Sequence, residues 1–210
     1  MGQMELLLIR HALPVRRELA EGIADPELAP AGREQAQRLA DYLADEPIDA
    51  LFSSPLRRAL ETADPISRRV GLGVTVVDDV AEWDRNSSEY VPLEDLKAAG
   101  DPRWHDIVAG KAPMGNETPA SFRSRVVDAV EALIDANPAR RIAVTCHGGV
   151  VNAYLAHVLE LPVGRDFFYP NYTSIHRVAA SRHGHRSIVT VNETAHLRGT
   201  GLPIGLMQQP

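Results

Sequence analysis

The sequence predicts one α/β domain, a three-layer α/β/α sandwich with a mostly parallel central sheet. Apolar runs of strand length alternate along the chain with segments of helical spacing, the order expected of parallel strands joined by crossover helices. Two of the runs, Leu6 to Ile9 (LLLI) and Arg141 to Thr145 (RIAVT), are nearly all apolar, as strands covered on both faces are. Each runs into a histidine, His11 after Arg10 and His147 after Cys146. If these strands are neighbours, the two imidazoles share the sheet edge where open α/β folds place their ligands.

The elements follow in chain order. Pro14 stops the first strand, and Val15 to Pro30 reads as a polar loop with Gly22, Pro26 and Pro30. Ala31 to Asp45 carries apolar residues at Ala36, Leu39, Ala40 and Leu43, a helix ended by Pro47. Ile48 to Ser53 is a short strand, and Pro55 opens a helix from about Leu56 to Val70 with Gly71 as its stop. Gly73 to Val77 has the β-branched residues of a third strand. The stretch from 78 to about 118 has no sustained period and holds both tryptophans, Trp83 and Trp104, so it reads as a lid-like insertion of loop and short helix. Thr118 is an N-cap and Pro119 a first helical residue for a helix whose apolar positions run from Phe122 to Ile134. After the Arg141 to Thr145 strand a helix runs from Val150 to Leu159. Thr173 to Ala180 and Ser187 to Asn192 form a hairpin across a turn at Arg182 to Arg186. The domain therefore covers 1–196, and 197–210, without a period, reads as a flexible tail.

Composition narrows the partners. The formal charge of −6 argues against nucleic acid, which calls for clustered Lys and Arg. The single cysteine, Cys146, permits no intrachain disulfide. No secretory leader pattern and no run of transmembrane length occurs, so the expectation is a cytoplasmic protein without a membrane partner. A homodimer is allowed by everything in the sequence and required by nothing in it.

The polar residues at the predicted edge suit phosphoryl transfer through histidine. That chemistry needs a neutral imidazole as nucleophile, several cationic donors around the phosphate and a proton source for the leaving oxygen. Arg10 and His11 supply a donor and the nucleophile, and the arginine pair Arg57 and Arg58, after a strand end, supplies a further guanidinium. His147, ahead of Gly148 and Gly149 at a helix start, adds a donor where backbone N–H groups also favour an anion. Glu82 lies in the insertion, within reach of a leaving group; Asp79, Asp84 and Glu89 are alternatives. No metal-ligand spacing is present, converging guanidiniums repel a cation, and no cofactor is called for. Cys146 is expected to face the core, since adjacent strand residues point to opposite faces.

These same residues resemble the motifs of the histidine phosphatase superfamily, the phosphoglycerate mutase-like fold. LLLIRHALP is similar to its Arg-His signature, DPELAPAGREQAQRLADYL at 25–43 to its first-helix segment, and SSPLRRALETA at 53–63 to its second arginine motif. GNETPASFRSRV at 115–126 is similar to its Gly-Glu-Ser/Thr helix start, and VTCHGGVV at 144–151 to its second histidine motif. The resemblance implies a phosphohistidine on His11, phosphoryl binding by Arg10, Arg58 and His147, and Glu82 as the acid that protonates the leaving oxygen. Glu117 either caps its helix or orients a neighbouring group.

The chain departs from that pattern at three places. Ala12 stands where the family usually has Gly, Arg17 stands where phosphoglycerate mutases have Asn at the phosphoryl site, and the insertion lacks the mutases' substrate segment. All three favour a phosphatase acting on a small phosphate ester or a phosphoprotein over a mutase. A mutase remains the alternative within the fold, and a catalytically weak phospho-ligand-binding module the alternative outside it. Arg17, with Arg16, is expected to line the pocket and to favour an acidic or multiply phosphorylated substrate.

Overall fold

The computed structural model describes residues 4–109, 117–164 and 166–206. Its central sheet has six strands in the order β4-β3-β6-β1-β7-β8. The strands are β1 (Met4–Arg10), β3 (Ala50–Ser53), β4 (Val74–Val76), β6 (Arg141–Cys146), β7 (Ile175–Ala180) and β8 (Arg186–Glu193). β4, β3, β6 and β1 run parallel, and β7 and β8 add an antiparallel edge. The two apolar strands are direct neighbours, with Arg10 opposite Cys146 in register, so the residues that follow them emerge side by side.

The period-2 alternation of β1 divides the core between two faces. Leu6 and Leu8 pack with Ile142, Val144, Cys146 and Val178 beneath α5 (Pro119–Ala136) and α6 (Gly148–Val158). Leu7 and Ile9 pack with Leu51, Ala143 and Ile175 beneath α1 (Pro30–Tyr42) and α2 (Arg57–Val70). Cys146 is fully buried in the first cluster, and burial pushes its thiol up to about 12, so it is core packing and not a thiolate. The helix boundaries follow local chemistry: Gly71 closes α2 in the left-handed conformation at φ 74°, and Thr118 and Ser121 form a reciprocal capping box at the start of α5. Gly32 lets α1 approach the turn after β1, since a Cβ there would lie 2.0 Å from the Leu13 carbonyl oxygen.

Two regions differ from the sequence expectation. The polar loop after β1 contains a two-residue strand, β2 (Arg17–Glu18), which pairs antiparallel with β5 (Glu89–Tyr90) in the insertion and ties the two together. The insertion adds a 3-10 turn (Asp78–Val80) before β5, and α3 (Leu93–Ala99) and α4 (Pro102–Val108) after it; its residues 110–116 lie outside the described residues. From 197 onward the expected tail is seated as far as 206. Leu197 is buried, the Pro203 carbonyl accepts from Gln35, and the Ile204 carbonyl accepts from the Tyr172 N–H at 3.0 Å. Residues 207–210 lie outside the described residues. Among the described residues no helix is long and apolar enough to cross a membrane.

Candidate active site

The C-terminal ends of β1, β3 and β6 deliver Arg10, His11, Arg58 and His147 to one place, and the insertion delivers Glu82 from the other side. The His11 and His147 rings lie 5.2 Å apart between centroids. Arg10, His11, Arg58 and Glu82 line a cavity of about 520 Å³, whose opposite wall is built from the insertion between Trp83 and Ile107. His147 lies beside His11 and is fully buried.

His11 is held neutral. Burial lowers its pKa well below the usual histidine value, and the Arg58 and Arg10 charges lower it further, against a hydrogen bond to the Ala12 carbonyl that acts in the opposite sense. That bond, 2.8 Å from Nδ1, places the single ring proton on Nδ1 and leaves the Nε2 lone pair free. Ala12 is itself fixed: its N–H donates to Thr62 Oγ1 at 3.0 Å, and its methyl packs with Leu28 and Ala36. His147 is neutral for the same reasons, burial first and Arg58 next. Ser54 Oγ accepts from the Leu56 N–H at 3.3 Å and lies 2.7 Å from His147 Nε2; in the tautomer with the ring proton on Nδ1 the Ser54 hydroxyl donates to Nε2.

The guanidiniums are buried and only partly paired. Arg10 donates to the Pro170 carbonyl and lies 4.2 Å over the Tyr172 ring and 4.9 Å over Tyr169. Arg58, 1% exposed, pairs with Asp84 at 2.7 Å and lies 4.7 Å over the Tyr90 ring. Arg10 Nε, Arg58 Nε and His147 Nδ1 have no hydrogen-bond partner among the described residues. Two buried guanidinium N–H groups without acceptors and an unpartnered ring nitrogen of His147, beside a neutral imidazole, form an arrangement suited to an oxyanion.

Glu82 faces them as a carboxyl group tuned toward neutrality. Burial raises its pKa to about 7, with help from the Asp84 charge and against the N–H groups of Gly149 and Trp83 and the Arg58 charge. Gly149 N–H donates to Oε2 at 2.8 Å and Trp83 N–H to Oε1 at 3.1 Å. The start of α6 therefore holds this carboxyl group with one of the N–H groups expected to face the anion. The segment carrying Glu82 is clamped from behind: Arg125 donates to the Asp79 and Ala81 carbonyls at 2.7 and 3.0 Å and pairs with Glu117 through two bonds of 2.7 and 2.6 Å. The other acidic candidates are differently engaged, Asp84 by Arg58, Glu89 by Arg103 at 2.7 Å, and Asp79 through its carbonyl by Arg125.

Two expectations change. Arg17 does not line the cavity; pairing of β2 with β5 turns its side chain to Glu27, at 2.6 Å. Its charge is thereby neutralised, and Arg16 likewise pairs with Glu18. Glu117 does not cap α5, because Thr118 and Ser121 occupy that role, and binds Arg125. Gly115 and Asn116 of the same motif lie outside the described residues. Tyr90, Tyr169, Tyr172, Ser54 and Arg125 join the site without having been singled out in the sequence. Ser54 and Arg125 lie inside the SSPLRRALETA and GNETPASFRSRV motifs. Among the described residues no three His, Cys, Asp or Glu side chains are grouped to hold a metal ion.

Comparison with known proteins agrees with this geometry. A model of the histidine phosphatase superfamily (branch 1) matches residues 6–194. Phosphoserine phosphatase 1 of Hydrogenobacter thermophilus is 27% identical over 201 residues, 92% of this chain and 94% of that protein. Glucosyl-3-phosphoglycerate phosphatase of Mycolicibacterium vanbaalenii is 30% identical over 153 residues, 68% of each chain. Among solved structures, phosphoserine phosphatase from Entamoeba histolytica in complex with 3-phosphoglyceric acid superposes with a TM-score of 0.71 at 25% identity, covering 92% of this chain and 99% of that one. Bacillus stearothermophilus YhfR shares the fold, with a TM-score of 0.74 at 20% identity, 92% of this chain and 99% of that one. The chain belongs to the histidine phosphatase superfamily.

Proposed function

We propose that this protein is a phosphoric monoester hydrolase that works through a phosphohistidine on His11, on a small-molecule phosphate ester and without metal or cofactor. The observation that carries the reading is the pairing of opposite protonation demands across one cavity. His11 is held neutral with Nε2 free, while Glu82 is held near pH 7 as a proton donor. The names of the phosphatases to which the chain is similar support the substrate class.

In the first half-reaction His11 Nε2 attacks phosphorus, the P–O ester bond breaks, and Glu82 gives its proton to the departing alkoxide. Arg10, Arg58 and His147 Nδ1–H donate to the non-bridging oxygens, where charge is spread in the transition state. In the second half Glu82, now a carboxylate, takes a proton from water as that water attacks the phosphohistidine, releasing phosphate and restoring both groups. Arg17 has no part in this scheme.

His11→Ala is expected to abolish turnover of a panel of phosphate esters. Rapid mixing of wild type with substrate should trap an acid-labile, base-stable phosphoryl group on His11. A covalent phosphoenzyme on any other residue overturns the mechanism. Dependence of turnover on an added bisphosphate primer would mark a mutase.

A further inference from the structure

Beside the His11 cavity lies a second one of about 330 Å³, and the two share Trp83, Leu93, Ile107, Gly149, Asp166 and Tyr169 as a common wall. Trp104, Phe122, Ala153, Ala156 and Phe168 are among its other lining residues. Away from the common wall, its charged and amide side chains, Arg123 and Asn152, are turned onto backbone. Arg123 donates to the carbonyls of Leu161 at 2.6 Å and Ala156 at 3.0 Å. Asn152 donates to the carbonyls of Gly148 and Phe168 and accepts from the Phe167 N–H. Rings and methyl groups are left to face the space. At its rim Val108 and Val163 are 58% and 51% exposed, large apolar residues flanking an opening.

We propose that this chamber is the subsite for the alcohol half of the substrate, and that it takes an aryl or branched alkyl group carried on a phosphate monoester. The inference rests on the phosphatase reading above and gives it a substrate class. In-line displacement puts the leaving oxygen opposite His11 and next to the proton donor. Whatever hangs on that oxygen therefore leaves the phosphate pocket past the neighbours of Glu82. Those neighbours are Trp83 and Gly149, whose N–H groups hold the Glu82 carboxylate and which form part of the wall common to both cavities. The chamber has about twice the roughly 150 Å³ that accommodates one benzene ring, so a ring with a short chain fits. A sugar placed there would lose water to a lining made mostly of rings and methyl groups. Among the described residues Asp166 is the sole charged one of the common wall, and its carboxylate opposes a second anionic group.

Ethyl phosphate and 2-phenylethyl phosphate test this, since both release a primary alcohol and differ by the ring. Titrated calorimetrically into full-length His11→Ala, which does not consume them, 2-phenylethyl phosphate is expected to bind at least tenfold more tightly. Ala153→Phe, which fills the chamber, should cut that ratio below threefold. Trp104→Ala, on the surface helix α4, should reduce it as well and keeps the test open if Ala153→Phe does not fold, as judged by circular dichroism. Equal affinities, or a ratio retained in the folded variants, overturn the chamber's role. Turnover by wild type separates the two readings: a binding preference with no hydrolysis of either ester sinks the phosphatase and spares the chamber. Hydrolysis with equal affinities does the reverse.

Discussion

The Gly149 N–H donates to the Glu82 carboxylate at 2.8 Å, and a Cβ on Gly149 would lie 2.4 Å from Oε1 of the same group. The first turn of α6 thus approaches the proton donor more closely than any residue with a side chain allows. Gly149→Ala is expected to push Glu82 off its position while leaving the core intact, because the clash is with a side-chain end and not with backbone. Turnover of alkyl phosphates, whose leaving oxygen needs the proton, should fall by about 10²-fold or more. Aryl phosphates, with better leaving groups, should fall less. Steady-state kinetics on both classes, with a thermal melt to confirm folding, checks this.

The Glu82 carboxyl group makes activity and stability move together with pH. In the proposed mechanism its proton is needed in the first half-reaction, so kcat/KM should fall about tenfold per pH unit above about 7, the value to which burial raises it. Glu82→Gln should flatten that limb at a rate lower by about 10²- to 10⁴-fold. Stability carries the same sign. A pKa raised on folding means the native state favours the proton, so the stabilising contribution is present below about 4.5 and is lost as pH rises through about 7. At about 1.4 kcal/mol per pH unit, that span amounts to about 3 kcal/mol. Glu82→Gln, which stays neutral, should therefore gain stability relative to wild type between pH 5 and 8 by an amount of that order, read from urea unfolding at each pH.

In the proposed mechanism Asp84 competes with the phosphoryl group for Arg58. It holds one guanidinium nitrogen at 2.7 Å and raises the Glu82 pKa by its charge. Asp84→Asn should tighten inhibition by inorganic phosphate by about tenfold, the change expected for removing a like charge beside a buried anion site. It should also move the alkaline limb of kcat/KM to lower pH. Unchanged phosphate affinity would show that Arg58 reaches the anion without releasing Asp84.

How much of this was legible follows from where the signals lie. The strands that end in Arg10-His11 and Cys146-His147 are apolar runs cut by breakers, and their adjacency follows from the parallel pattern, so the nucleophile's edge reads directly from the sequence. Arg17 shows the opposite. Its place six residues after His11 suggested the pocket, yet its direction is set by pairing with Tyr90, a contact of two short strands with no periodic signature. Tyr90 lies in the same aperiodic insertion and was invisible for the same reason, although it stacks over Arg58. The segment 197–206 is held through the backbone carbonyls of Pro203 and Ile204, which carry no sequence code. Glu117 was read by its nearness to a helix start, and only the fold brings Arg125, two turns further on, to meet it.

That Arg125 contact points to a positioning role that activity alone does not reveal. Arg125 touches no atom at the reaction centre; it grips the Asp79 and Ala81 carbonyls and so fixes the backbone that presents Glu82. Glu117 holds the guanidinium in plane through two bonds, and the Phe122 ring lies 5.0 Å beneath it. Arg125→Ala frees the turn before Glu82 and leaves two carbonyls and one carboxylate without their donor, a loss of about 1–3 kcal/mol of stability for a largely buried group. A merely structural role would stop there. If Arg125 positions the acid, kcat for alkyl phosphates should also drop by about tenfold or more while KM stays near wild type. The alkaline limb should shift as Glu82 gains water. Arg125→Lys restores the charge without the planar fork, so it should recover part of the stability and little of kcat. A variant that melts earlier but keeps the wild-type pH profile and kcat would remove Arg125 from the mechanism.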